Sequence, residues 1–139
     1  MLKQSRPIVV TFLIGLFVIG IVASLVSAIS LSFPGSFLEV VWRVNPHARE
    51  GFARLGQWSI VLMSIVCVAC TLTAVGLWRR WRWGYWLALA MLALNLTGDL
   101  INVLAGIEYR AAAGIPIALL LLILMLRAKT RRYFANSIP

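Results

Sequence analysis

Acidic residues are scarce in this chain: Glu39, Glu50, Asp99 and Glu108 are the only four among 139 residues, against 13 Lys and Arg, for a formal charge of +9. Histidine and cysteine are scarcer still, with His47 alone and the single pair Cys67 and Cys70. One histidine excludes a bis-histidine haem, and the chain holds too few ligands for a typical zinc site. No second carboxylate and no nucleophile–base pair accompanies Asp99, so neither catalytic, cofactor nor metal residues are assigned and no enzymatic activity is expected. Charge of either sign is limited to 12% of residues, while 62% are hydrophobic and the mean hydropathy is +0.94. A soluble domain is about 45 to 50% apolar. The composition therefore belongs in lipid and leaves no room for a separate catalytic domain.

What is abundant is long apolar sequence. Four runs approach the roughly 20 residues that a helix needs to cross about 30 Å of hydrocarbon: about Ile8 to Phe33, Trp58 to Trp78, Tyr85 to Gly106 and Ala111 to Leu126, the last being the shortest. Backbone groups in lipid must be satisfied within their own segment, so these runs are expected to be helices. The expected fold is an all-α membrane protein, a single four-transmembrane-helix bundle with a short interfacial helix in the first outer loop. Lys3 and Arg6 followed by an apolar run and Val26-Ser27-Ala28 also resemble a signal peptide, but the run exceeds the usual apolar core of about 7 to 15 residues.

Charge gives the orientation. With both termini inside, the inner side holds Lys3, Arg6, Arg79, Arg80, Arg82, Arg127, Lys129, Arg131 and Arg132 and no acid, whereas the outer connections mix Arg43, Arg49, Arg54 and Arg110 with Glu39, Glu50 and Glu108. The positive-inside rule then predicts a multi-pass protein with N and C termini cytoplasmic. These cations sit beside span ends, where they meet anionic headgroups, so no nucleic-acid partner is expected. Interfacial anchors follow the same placement: Trp78, Arg79, Arg80, Trp81, Arg82, Trp83 and Trp86 crowd the inner turn, and Trp42 and Trp58 mark the outer interface. A docking surface for a lipid or a protein is the sharper alternative to a simple belt.

In the outer loop, Pro34-Gly35 ends the first helix and Ser36 is placed to cap a short helix carrying Phe37, Leu38, Val40, Val41 and Trp42. Asn45-Pro46 is a helix start, asparagine as cap and proline at the first helical position, and Gly51 and Gly56 weaken that helix before Trp58. Gly20, Ser24 and Ala28, and again Cys70 and Ala74, recur at the spacing that permits close helix approach. Cys67-Val-Ala-Cys70 has the spacing of a redox pair, but a relay from soluble thiols would ordinarily need a second pair. Buried structural cysteine is the expected role, and a thiol or quinone oxidoreductase the remote alternative.

The third run holds the one charge within any span. Asn95, Asp99 and Asn102 follow i, i+4, i+7 spacing and share a helical face. An aspartate near a span centre costs roughly 2.5 to 3.5 kcal/mol on insertion scales, so it is expected to face protein, water or a partner. The Ala111-Ala112-Ala113-Gly114 segment lies at comparable depth, Pro116 withholds a donor from the carbonyl of Ala112, and Arg110 is near enough in height to complete a polar cluster with Asn95, Asp99 and Asn102. Three functions compete for it: a clasp within the bundle or toward another subunit, an outward-facing site for a cation, proton or small polar solute, and, least supported, an acid or base. The first is preferred, giving an accessory or assembly subunit whose partners are the bilayer and a membrane protein or further copies of itself. A bound pigment, quinone or lipid remains open, because such ligands leave few polar signatures.

Pro34-Gly35 with Trp42-x-x-Asn45-Pro46, Leu77-Trp78-Arg79-Arg80 with Trp83-Gly84, Asn95-x-x-Gly98-Asp99-x-x-Asn102 and Gly114-Ile115-Pro116-Ile117 occur in this order. From Pro34 to Phe134 the chain resembles a group of uncharacterised small four-span bacterial inner-membrane proteins. The resemblance implies the same four-helix fold and a bacterial membrane origin, and carries no established activity.

Overall fold

A computed structural model describes residues 5–107 and 109–135, with the side chains of residues 109 and 110 outside the description. Among the described residues every regular element is helical and none is a strand. Three helices are long and apolar enough to cross a membrane: α1 (Ile8–Ser32), α3 (Gln57–Trp78) and α4 (Arg82–Leu104). Between the first two lie a 3₁₀ helix (Phe37–Arg43) and α2 (Pro46–Leu55); after α4 come a second 3₁₀ helix (Tyr109–Ala113), α5 (Gly114–Leu126) and α6 (Ala128–Ala135). The chain divides into two compact units, residues 16–72 and residues 5–15 with 73 onward.

The fourth expected span, Ala111–Leu126, is helical throughout but too short to reach crossing length by itself. Where the sequence predicts one crossing over Ala111–Leu126, α5 has only 13 residues, about 20 Å at helical rise, and the chain then bends by 58° into α6. The molecule therefore has three helices of crossing length, or up to four if the bent pair forms one span. Pro116 falls in the first turn of α5, where a missing N–H is no loss, and so helps to start this helix instead of interrupting a longer one. The end of α5 contains no glycine. Its last carbonyls are met by side chains, with Tyr85 Oη donating to Met125 O at 3.0 Å and Thr130 Oγ1 to Leu124 O at 3.0 Å, which answers the need of a helix terminus for outside donors.

In the unit of residues 16–72, the small-residue stripes meet each other. A Cβ at Gly20 would lie 3.2 Å from Cys70 Sγ, and Ser24 is buried with its hydroxyl donating to Gly20 O at 2.7 Å. Asn45 caps α2 as its pairing with Pro46 predicts, Oδ1 accepting from Ala48 N at 3.0 Å. Ser36 precedes the 3₁₀ helix, but its hydroxyl makes no cap bond; Glu39 reaches back past it to accept from Gly35 N at 3.0 Å, which ties the preceding turn to the helix. Gly51 lies within α2 without breaking it, whereas Gly56 separates α2 from α3 at φ 58°, ψ −131°, a conformation that a side chain would oppose.

Residues 5–15 and 73 onward are built on a tight α3–α4 turn. A Cβ at Gly84 would come 2.5 Å from Gly76 C and Cα, and one at Gly76 2.6 Å from Gly84 Cα, so the two backbones touch. The end of α3 closes with Arg80 N donating to Leu77 O at 3.3 Å and Trp81 N to Gly76 O at 2.9 Å. This is the Schellman pattern, with Arg80 at φ 62° in the place that glycine usually takes. α4 ends on the same pattern with a glycine: Gly106 N donates to Val103 O at 3.1 Å and Ile107 N to Asn102 O at 3.0 Å, with Gly106 at φ 66°. That closure stops α4 at Leu104, and α4 packs along α5.

Candidate functional site

The polar face of α4 is graded in exposure. Asn95 is exposed, while Asp99 and Asn102 are half-buried. The Asp99 carboxylate rests against Gly114, the first residue of α5: a Cβ added there would collide with Asp99 Oδ2 and lie 3.1 Å from its Cγ. The absence of a side chain at Gly114 is thus what admits the carboxylate. The Arg110 side chain, expected to join this cluster, lies outside the described residues.

Of the expected interfacial anchors, Trp58, Trp78, Trp83 and Trp86 are exposed, as are Arg79 and Arg82, and Trp81 and Arg80 are half-buried. The Arg79 guanidinium lies 5.2 Å from the Trp81 ring, and Trp81 lies 5.4 Å from Trp83. Arg6 joins this group, stacking 4.9 Å from the Trp78 ring and donating to Trp78 O at 3.2 Å. Trp42 departs from the expectation of a surface anchor. It is buried, its Nε1 donating to Ser30 Oγ at 2.9 Å and its ring 5.8 Å from Phe52, because the 3₁₀ helix turns this face inward and the Asn45–Pro46 start brings α2 over it. The segment between α1 and α3 is further tied by Arg49 to Glu39 at 2.7 Å, an exposed pair of the kind worth only about 0 to 1 kcal/mol. Beneath it a cavity of about 380 Å³ is lined by Trp42, Phe52, Ser30 and Ser59.

Cys67 and Cys70 are both free thiols; Cys70 fills the notch at Gly20, and Cys67 Sγ lies 3.9 Å from Ile21 O. Among the described residues no three His, Cys, Asp or Glu side chains gather in a metal-binding group.

A second arrangement was not anticipated from the sequence. α6 buries Thr130, Tyr133 and Phe134 and leaves Arg131 and Arg132 exposed. Arg80 holds it from the α3–α4 turn, stacking 4.0 Å from the Tyr133 ring and donating to Tyr133 O at 3.0 Å. Tyr85 adds a ring contact to Phe134 at 5.3 Å. The resulting wall borders a cavity of about 370 Å³ between the start of α4 and α6. The i, i+3, i+4 spacing of Thr130, Tyr133 and Phe134 was the signal for a helix with one buried face; the adjacent basic residues draw attention to topology instead.

Fold and site together define a class: a small all-helical protein with three, or up to four, apolar helices able to cross a membrane and one carboxylate set into that apolar sequence. Comparison of the chain with protein-family models, curated proteins and solved structures finds no match.

Proposed function

We propose that this chain is a non-enzymatic accessory or assembly subunit of a larger bacterial inner-membrane complex, embedded as a four-span bundle with both termini cytoplasmic and the 3₁₀ helix Phe37–Arg43 lying in the outer interface. The observation that carries the reading is Asn95. It is exposed on α4, and of the most apolar 18-residue stretch of α4 only 11% is buried. An uncovered amide in hydrocarbon costs several kcal/mol on an alkane scale, roughly 4 to 8, and a neighbouring helix with a polar side chain relieves that cost. The Asp99 carboxylate lies beside Gly114 of α5, on the α4 face that also carries Asn95. The bacterial inner membrane follows from the resemblance of the sequence motifs, and the orientation from the excess of Lys and Arg at the proposed inner side.

The test is the mass of the particle that the full chain forms in mild detergent, read by native mass spectrometry. The native chain is expected in an assembly containing a stoichiometric second subunit, and Asn95→Leu is expected to keep its helicity yet lose that subunit. Retention of the subunit by Asn95→Leu, or a native particle made of this chain alone, would overturn the reading. Proton or solute flux in liposomes that disappears in Asp99→Ala would establish the transport alternative in its place.

A further inference from the structure

We propose that the cavity between the start of α4 and α6 is a binding site for the phosphate headgroup of an anionic phospholipid, held by Arg82, Arg131 and Arg132. The three guanidinium-bearing residues line one cavity of about 370 Å³, with Tyr85, Trp86 and Phe134 as its aromatic wall. Arginine suits a phosphate diester, because its planar fork offers paired donors to two oxygens.

The charge around this cavity is unbalanced. The sequence has no Asp or Glu over residues 51–98 or 109–139, and Asp99 lies on the same helix as Arg82 but about 26 Å along it. Among the described residues no carboxylate of α4, α5 or α6 thus reaches these arginines, and an external anion would balance them. The cavity is also a shaped one. Its α6 wall is fastened by Arg80 to Tyr133 O, by Thr130 to Leu124 O and by the Tyr85–Phe134 contact, while Tyr85 is anchored to Met125 O. Arg131 and Arg132 are therefore carried on a docked helix and not on a loose tail.

Depth distinguishes a lipid from a free anion. Arg82 opens α4, and α6 follows the 58° bend that ends the apolar α5. Both borders of the cavity thus stand where apolar helix gives way to basic and aromatic residues, which is headgroup level. Basic pockets between helix ends at this level are suited to anionic lipid headgroups. The exposed ring of Trp86 offers an apolar surface beside the site for the lipid's glycerol and upper acyl chain. The site rests on the membrane placement proposed above and not on the presence of a partner subunit.

The test uses the full chain, delipidated in detergent and titrated with phosphatidylglycerol or phosphatidylcholine, with bound lipid counted by native mass spectrometry. Arg131→Gln/Arg132→Gln removes two lining residues. Arg127→Gln/Lys129→Gln removes the same charge from neighbouring exposed positions outside the cavity and serves as the comparison. The native chain is expected to retain phosphatidylglycerol in preference to phosphatidylcholine. The Arg131/Arg132 variant is expected to bind it at least about tenfold more weakly, and the Arg127/Lys129 variant within about twofold of native. Arg82→Gln, on the opposite border, is expected to weaken it in the same direction. Equal losses in the two double variants would reduce the effect to diffuse charge and overturn the site. So would equal retention of the two lipids, or displacement of phosphatidylglycerol by millimolar inorganic phosphate, which would make it a site for free phosphate. Helicity and monodispersity of each variant, checked alongside, separate lost binding from lost folding.

Discussion

Asp99 and Gly114 are matched residues: the carboxylate occupies the space that any side chain at 114 would fill. Gly114→Ala is therefore expected to lower stability by about 1 to 3 kcal/mol, the usual cost of overpacking, measured by thermal unfolding in detergent. An unchanged transition would show that the carboxylate can move aside freely. Arg80 makes the opposite bargain. It accepts a left-handed backbone at φ 62°, costing roughly 1 to 2 kcal/mol for a residue with a Cβ, and its guanidinium fastens Tyr133. Arg80→Ala keeps the backbone cost and loses the contact, whereas Arg80→Gly loses both. Arg80→Gly is expected to be the more stable of the two by about 1 kcal/mol, and the reverse order would contradict the Schellman assignment. The polar i, i+4, i+7 pattern and the small residue at 114 were both legible in the sequence. The role of Arg80 was not, because its guanidinium meets the ring and carbonyl of Tyr133, 53 positions away along the chain.

At the scale of elements, apolar run length was enough to locate α1, α3 and α4, since hydrocarbon thickness sets a minimum helix length that leaves few alternatives. Asn45-Pro46 likewise located the start of α2, because a cap and a proline act through local backbone geometry. The fourth apolar run ends where α5 ends, at Leu126, but the fold-back of α6 was hidden for the converse reason: no glycine or proline marks the bend, and the last carbonyls of α5 are satisfied by Tyr85 and Thr130, donors that only tertiary structure brings near. Tyr85→Phe removes one of them. It is expected to cost about 1 kcal/mol and to speed hydrogen exchange selectively in α6, with exchange in α1 unchanged. Faster exchange throughout, or none, would contradict the tie between Tyr85 and the α5–α6 junction.

At the scale of the whole molecule, the number of crossings decides the rest. Three helices reach crossing length on their own and the bent pair α5–α6 is the fourth candidate. Four crossings put both termini on one side, and three put them on opposite sides. The direct measurement is labelling of single cysteines with a membrane-impermeant maleimide in intact spheroplasts, on a Cys67→Ala/Cys70→Ala background. Ser5→Cys, His47→Cys and Lys129→Cys all place the thiol at exposed positions. Four crossings with both termini inside predict that only the thiol at position 47 reacts until the membrane is opened. Reaction at position 129 with protection at position 5 would contradict it and leave α5 and α6 on the outer side of a three-helix protein.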